Sequence, residues 1–328
     1  MKKYDVIGVG NALMDVLVEL PDSSLLESLG MKDGDWSVVE NDDWEKVFEA
    51  AKVYGTKTDS GGSVANTIST VGLLGGNALY HGTVGDDEFG KMYSSGFDKL
   101  CGGHDIRISK DGSTGKCLCL ITPPLAERTL VVHYGVADQP YEMENFMKQC
   151  SNTKVGHFGG YTVMNKPNEN AVRTAMAEVK ANEGLVSFDL SDKIVIDSTA
   201  DTLWELVSDY ADIIFFNEDE SNAFFSKFGI DSIESLVKRA GLETVVMKKG
   251  NKGSQVFHKG EIVSVGIKEV EAVDTTGAGD AYAGGFLYGL TQGLGIKQCC
   301  NIAKNISGLT VSQIGGVYKD SVDVSELS

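Results

Sequence analysis

Short apolar runs alternate with helical segments of amphipathic spacing through most of this 328-residue chain, which predicts an α/β fold built on a doubly wound, mainly parallel sheet flanked by helices. Two stretches break the rhythm with β-rich runs and no convincing helix, predicting a small β appendage at 13–40 and 106–134 beside a large unit formed by 1–12, 41–105 and 135–328. The third informative feature is a glycine-rich loop running into an apolar segment, DTTGAGDAYAGGF at Asp274–Phe286.

In chain order, Tyr4–Gly10 (YDVIGVG) is an apolar run closed by glycine, as a buried parallel strand is. Helical spacing follows in Ser63–Leu74 and in Phe89–Leu100, where Phe89, Tyr93, Phe97 and Leu100 share a face; the strand-like Ala78–Val84 lies between. Val172, Ala175, Met176 and Val179 mark a helix over Asn170–Asn182, before the strand Leu185–Leu190. Leu203, Leu206, Val207 and Tyr210 mark the next helix. The strand Asp212–Phe216, helices near Glu218–Lys227 and Ser232–Ala240, the strand Thr244–Lys248 and a buried helix over Ala281–Leu290 complete the series. Such alternation implies right-handed crossovers. Within the appendage, Lys116–Thr122 (KCLCLIT) and Arg128–Tyr134 (RTLVVHY) read as antiparallel strands joined by PPLAE.

Composition narrows the function. With 42% hydrophobic residues and 5 prolines the chain is globular rather than disordered. A formal charge of −18 offers no general positive footprint for nucleic acid. No window approaches the ~18 apolar residues of a membrane span, and the start MKKYDVIGVGN runs directly into a strand without a signal-peptide pattern, so a cytoplasmic location is expected. Six cysteines are present; the Cys117-x-Cys119 pair points both thiols to one face of a strand, but no second Cys or His pair follows at zinc spacing, and reduced thiols are expected. The histidines His81, His104, His133, His157 and His258 show no ligand spacing either.

Chemistry concentrates in three places. Gly277, Ala278 and Gly279 let consecutive backbone N–H groups point outward ahead of a helix, a nest suited to phosphate oxygens. Asp280 stands at its mouth, where a carboxylate suits a proton acceptor aimed at a hydroxyl, the layout of phosphoryl transfer; an ordinary strand-to-helix turn capped by Asp280 is the alternative. Asn217 and Glu220 follow a strand end and share one helical face, as magnesium–phosphate ligands acting through water or as a capping box. Gly61 and Gly62 allow close backbone approach before Asn66 on the first turn of a helix, either a set of polar contacts for hydroxyls or a helix start capped by Ser60 or Ser63.

These stretches together resemble the ribokinase-like (PfkB) family of sugar and nucleoside kinases: DTTGAGDAYAGGF, then Gly10, Asn11 and Asp15, SGGSVANT at Ser60–Thr67, VGDDEFG at Val84–Gly90, Asn217–Glu220, and Lys248, Gly250 and Gly253 in KKGNKG. The resemblance spans the chain in order. It implies a ribokinase-like fold in which the β appendage is a lid over the substrate. It also implies ATP as phosphoryl donor, Mg²⁺, and K⁺ as a monovalent cation beside Asp274. Asp280 is then the general base with Gly277–Asp280 as anion hole. Asp15, Asn11, Gly61, Gly62 and Asn66 hold acceptor hydroxyls, and Asn217, Glu220, Lys248, Gly250, Gly253, Thr275 and Asn305 lie at the nucleotide, with Asn217 and Glu220 reaching magnesium through water.

Glu127-Arg128-Thr129 is similar to the adenosine-kinase branch, most of all its bacterial members, which brings its arginine over the transferring phosphoryl group; otherwise Arg128 is a surface charge. Asp15 without the resemblance is a solvated residue, and Tyr161 either stacks on a base or packs in the core. The acceptor is therefore expected to be an adenosine-like nucleoside, with a fructokinase- or ribokinase-type sugar kinase as the alternative. No nucleic acid or membrane partner is expected, and the chain is expected to be a monomer or homodimer. A dinucleotide oxidoreductase built on GVGNALMD fails because Leu13 stands where the third glycine belongs. A binding protein without turnover is opposed by intact Asp280, Asn217 and Glu220.

Overall fold

The computed structural model describes residues 2–101, 103–123 and 127–327. In chain order the elements are β1 (Tyr4–Val9), β2 (Leu13–Glu19), α1 (Ser24–Ser28), β3 (Trp36–Val38), α2 (Asn41–Ala51), β4 (Lys57–Gly61), α3 (Ser63–Leu73), β5 (Ala78–Gly85), α4 (Glu88–Cys101), β6 (Asp105–Ser109), β7 (Gly115–Thr122), β8 (Glu127–His133), α5 (Glu144–Cys150), β9 (Thr153–Gly159), α6 (Lys166–Ala181), β10 (Leu185–Asp189), α7 (Lys193–Asp209), β11 (Ile213–Asn217), α8 (Glu218–Phe228), α9 (Ile233–Ala240), β12 (Thr244–Lys248), β13 (Ser254–His258), β14 (Glu261–Val265), α10 (Ala278–Thr291) and α11 (Ile296–Val311).

Nine strands form the large sheet in the order β14-β13-β12-β11-β10-β9-β1-β5-β6. All pairings from β12 to β6 are parallel, and only the β12-β13-β14 edge is antiparallel. The period-2 geometry of a strand sends neighbouring side chains to opposite faces. In β11, Ile214 and Phe216 join one core with Phe158 and Phe188, while Ile213 and Phe215 join the other with Tyr80, Phe97 and Phe286. A central strand buried on both faces reads as an unbroken apolar run for this reason.

The smaller sheet has five strands in the order β3-β8-β7-β2-β4. The β7–β8 pair is antiparallel, as expected, whereas β2 runs parallel to β7. The connecting PPLAE lies largely outside the described residues. Membership of this sheet differs from the expected boundaries. β4 belongs to it, pairing with β2, although KTDSG carries no strand-like apolar pattern. β6, expected within the appendage, instead pairs with β5 and ends the large sheet. One face of the small sheet, with Val16, Val18, Leu118 and Leu120, is covered by Trp44 of α2, whose indole N–H donates to the Val131 carbonyl at 3.1 Å. The other face, with Leu17, Cys117, Cys119 and Val132, looks toward the large sheet.

Candidate active site

Two cavities meet at the first turn of α10, beyond the carboxyl ends of the parallel strands, where doubly wound sheets place ligands. One, of about 350 Å³, lies between the sheets and is lined by Asp15, Asn66, Thr276, Gly277 and Asp280 among others. The other, of about 340 Å³, is lined by Lys248, Gly250, Gly253, Thr275, Ala278 and Gly279, together with Lys304, Ser307, Gly308 and Val311 of α11. A single turn of backbone separates them.

The loop that makes this turn is fixed by its own chemistry. Gly277 sits at φ +68°, and a Cβ there would run into the backbone of Gly316, so only glycine fits. Buried Asp274 accepts from the Thr276 N–H at 2.8 Å and the Thr276 hydroxyl at 2.5 Å through one oxygen, and from the Gly315 N–H at 3.1 Å through the other. It ties the loop to the segment that closes over it. Both oxygens of this candidate cation ligand are thus engaged within the protein.

Asp280 is clasped by α3. Its two carboxylate oxygens accept from the Ser63 hydroxyl at 2.7 Å and the Asn66 amide at 2.9 Å, and Thr67 donates to its carbonyl at 3.3 Å. Burial raises its pKa above the ordinary carboxylate value, and the Asn66 and Ser63 hydrogen bonds work the other way. Asn66 therefore positions the candidate base, a role that the motif alone did not suggest.

Around the first cavity the glycines prove sterically necessary. A Cβ on Gly61 would overlap the Asp15 carboxylate, and one on Gly62, at φ +96°, would strike the Asn11 carbonyl. Asn11 lines the cavity and accepts from the Tyr141 hydroxyl at 2.8 Å. Burial, then the neighbouring Asp59, push Asp15 up to about 8, with Arg128 opposing. Arg128 reaches from β8 across to the loop: its guanidinium donates to the Thr276 hydroxyl at 2.7 Å and lies 4.0 Å from Asp274. The same cavity has an apolar and aromatic lining from Leu13, Trp36, Leu130, Tyr134 and Tyr161.

At the second cavity, Lys248 forms a buried 2.8 Å ion pair with Asp189, and its ammonium faces Gly279. Burial disfavours its charge, yet Asp189 and Glu220 more than offset this and its pKa stands above the usual value. Asn217 and Glu220 form a complete capping box, with the Asn217 oxygen accepting from the Glu220 N–H at 2.8 Å and the Glu220 carboxylate accepting from the Asn217 N–H at 2.9 Å and its amide at 2.6 Å. The same two side chains line the first cavity, so the capping geometry and exposure to a ligand coexist. Burial raises Glu220 to about 7, with Lys248 opposing.

Asn305, expected at the nucleotide, is not among the residues lining either cavity. Its amide donates to the Leu327 carbonyl at 2.8 Å, and the α11 residues on the cleft are Lys304, Ser307, Gly308 and Val311. Asp189 is the main residue that sequence reasoning passed over. It ends a strand of the parallel sheet, and that position was the available signal. Thr276, inside the glycine-rich loop, and Trp36, in the β-rich stretch 13–40, were likewise not singled out.

Among the described residues, no helix is long and apolar enough to cross a membrane. The model of the pfkB family carbohydrate kinases matches residues 36–321. The chain is 26% identical to adenosine kinase of Saccharomyces cerevisiae over 333 residues, covering 95% of this chain and 96% of that protein. It is 27% identical to the ATP-dependent 6-phosphofructokinase of Thermoanaerobacterium thermosaccharolyticum, covering 96% and 90%. The fold superimposes on adenosine kinase from Sinorhizobium meliloti with a TM-score of 0.86 at 28% identity, over 97% of each chain.

Proposed function

The chain belongs to the pfkB family of carbohydrate kinases and is an ATP-dependent phosphotransferase, and from that premise we propose that it phosphorylates the primary hydroxyl of an adenosine-like nucleoside. The observation that carries this reading is the apolar and aromatic lining of the cavity that also holds Asp280. Trp36, Tyr134 and Tyr161 with Leu13 and Leu130 offer the flat, apolar surface that a nucleobase needs. The sole cation lining that cavity among the described residues is Arg128, already bonded to Thr276 at the loop, which leaves no cationic cluster for a second phosphate on a sugar acceptor.

In this mechanism Asp15 and Asn11 hold secondary hydroxyls, and Asp280 accepts the proton of the primary hydroxyl as it attacks the γ-phosphorus. Ser63 and Asn66 keep the Asp280 carboxylate aimed, so its geometry is set before substrate arrives. The N–H groups of the Gly277–Asp280 turn and the Arg128 guanidinium take up charge on the transferring group. Lys248, Gly250, Gly253 and Thr275 line the donor side. Asn217 and Glu220, an amide and a carboxylate, fit magnesium held through water, and the ion when bound neutralises phosphate charge. Asp274 is assigned to a K⁺-linked loop, which a comparison of potassium with sodium salts tests.

The deciding experiment measures kcat/KM with saturating MgATP for adenosine, ribose, fructose and fructose 6-phosphate. Adenosine is expected to lead. A higher value for any of the sugars refutes the nucleoside assignment while leaving the kinase intact.

A further inference from the structure

Cys117 and Cys119 are not used by the reaction above, yet both thiols open into its acceptor cavity. They occupy alternate positions of β7, so both point to the same face, and their sulfurs lie 3.7 Å apart as a weak S–H···S pair. Asp15 stands directly beside Cys117 on β2, and the two thiols and its carboxylate lie within 4.8 Å of one another. A zinc-sized ion holding two thiolates at ~2.3 Å in tetrahedral geometry requires sulfurs about 3.8 Å apart. The pair is thus already spaced for a shared ion. A third, oxygen ligand comes from the neighbouring strand, a neighbour that Cys-x-Cys spacing in the sequence cannot display.

We propose that Asp15, Cys117 and Cys119 form a binding site for a thiophilic divalent cation of the zinc class, and that its occupation blocks the acceptor. The second half rests on the reading of this cavity as the acceptor site. On binding, each thiol and the Asp15 carboxyl give their protons to solvent, and two metal–sulfur bonds and one metal–oxygen bond form. Two thiolates and a carboxylate leave one excess negative charge on a divalent ion, which the Arg128 guanidinium on the same cavity offsets in part. Magnesium does not compete here, because it prefers oxygen ligands in octahedral array. The ion takes the carboxylate that the acceptor hydroxyls need, and the fourth position faces the cavity.

Anaerobic titration of the phosphine-reduced protein with Co²⁺ reads the site directly. A thiolate-to-cobalt charge-transfer band that saturates at a single equivalent and is removed by Zn²⁺ is expected. Cys117→Ser and Cys119→Ser should each abolish the band and weaken zinc by at least about the tenfold that even outer-shell changes cost. Cys101→Ser, away from the cavity, should keep it. In initial-rate measurements with acceptor and MgATP varied in turn, zinc should raise the apparent acceptor KM and leave kcat at saturating substrates unchanged. Absence of the band in the unsubstituted protein, its survival in both serine variants, or inhibition competitive with MgATP alone overturns the proposal. A normal band that vanishes in both variants, with no zinc effect on any acceptor KM, upholds the metal site and overturns the acceptor reading.

Discussion

Asp15→Asn should stabilise the ligand-free protein, and by more at pH 7.5 than at pH 5. Asp15 is 7% exposed and lies in register with Asp59 on one side and Cys117 on the other. Burial and the field of Asp59 push its pKa to about 8, while an aspartate in the unfolded chain titrates near ~3.9. A raised folded-state pKa contributes stability that is fully present below the unfolded value and is lost as pH rises through the folded one. Over that window the folded chain retains a proton that the unfolded chain releases. At about 1.36 kcal/mol per pH unit, the linkage has a ceiling of roughly 5 kcal/mol at pH 7.5 and about 1.5 at pH 5. Solvent screening from the cavity lowers the folded-state pKa and closes the window from its alkaline end, so the figure at pH 7.5 falls toward about 2 kcal/mol while that at pH 5 stays near about 1.3 kcal/mol. Asparagine keeps the shape and never ionises, so it recovers this difference. Thermal unfolding at constant ionic strength should show Tm raised by about 4 °C at pH 7.5 and by about 2–3 °C at pH 5. A gap that is flat across this range, or wider in acid, refutes the assignment of a strained carboxyl at Asp15.

Four further outcomes can be checked. Asp280→Asn should keep the fold and ATP binding yet lower kcat by about 10²–10⁴-fold. Since the base acts only when ionised and its pKa lies above the ordinary value, kcat/KM in the unsubstituted enzyme should fall as pH drops through that raised pKa, a limb that the variant lacks. Alanine at both Asn217 and Glu220 should raise the magnesium concentration for half-maximal rate and, through loss of the capping box, cost about 1 kcal/mol or more in a denaturant titration; an unchanged magnesium response confines the pair to capping. Gly277→Ala should abolish turnover and lower Tm, because it strains a left-handed backbone and drives a methyl into Gly316. Lys248→Met should raise the ATP KM more than the acceptor KM and leave Asp189 buried without its partner, visible as a lowered Tm.

Much of this was legible in the residues themselves. Glycines that permit only one backbone, such as Gly62 and Gly277, announce their loops, and β-strand periodicity separates the runs Ile213–Phe216 and Leu118–Ile121 from the helices around them. What escaped has a common cause. β4 is a polar strand whose place is set by its partner β2, and Asp189 acquires meaning only beside Lys248, 59 positions away. Asn305 and Ser307 lie on one helix, and which of them faces the cleft depends on how α11 docks against its neighbours. Asn66 matched the expected motif, but its amide is bonded to Asp280, a contact across 214 positions of chain.

The parallel pairing of β2 with β7 also bears on the order in which the molecule is assembled. Leu13 lies beside Gly115, and two further strands of the same sheet come from 57–61 and 127–133. Contacts so remote along the chain carry a large loop-closure entropy and form slowly. The cavity proposed for the nucleotide, by contrast, is lined by residues of 248–311. Under the proposed assignment of the two cavities, a refolding chain is expected to gain nucleotide binding before acceptor binding, which refolding followed with a fluorescent nucleotide and, separately, with acceptor would check.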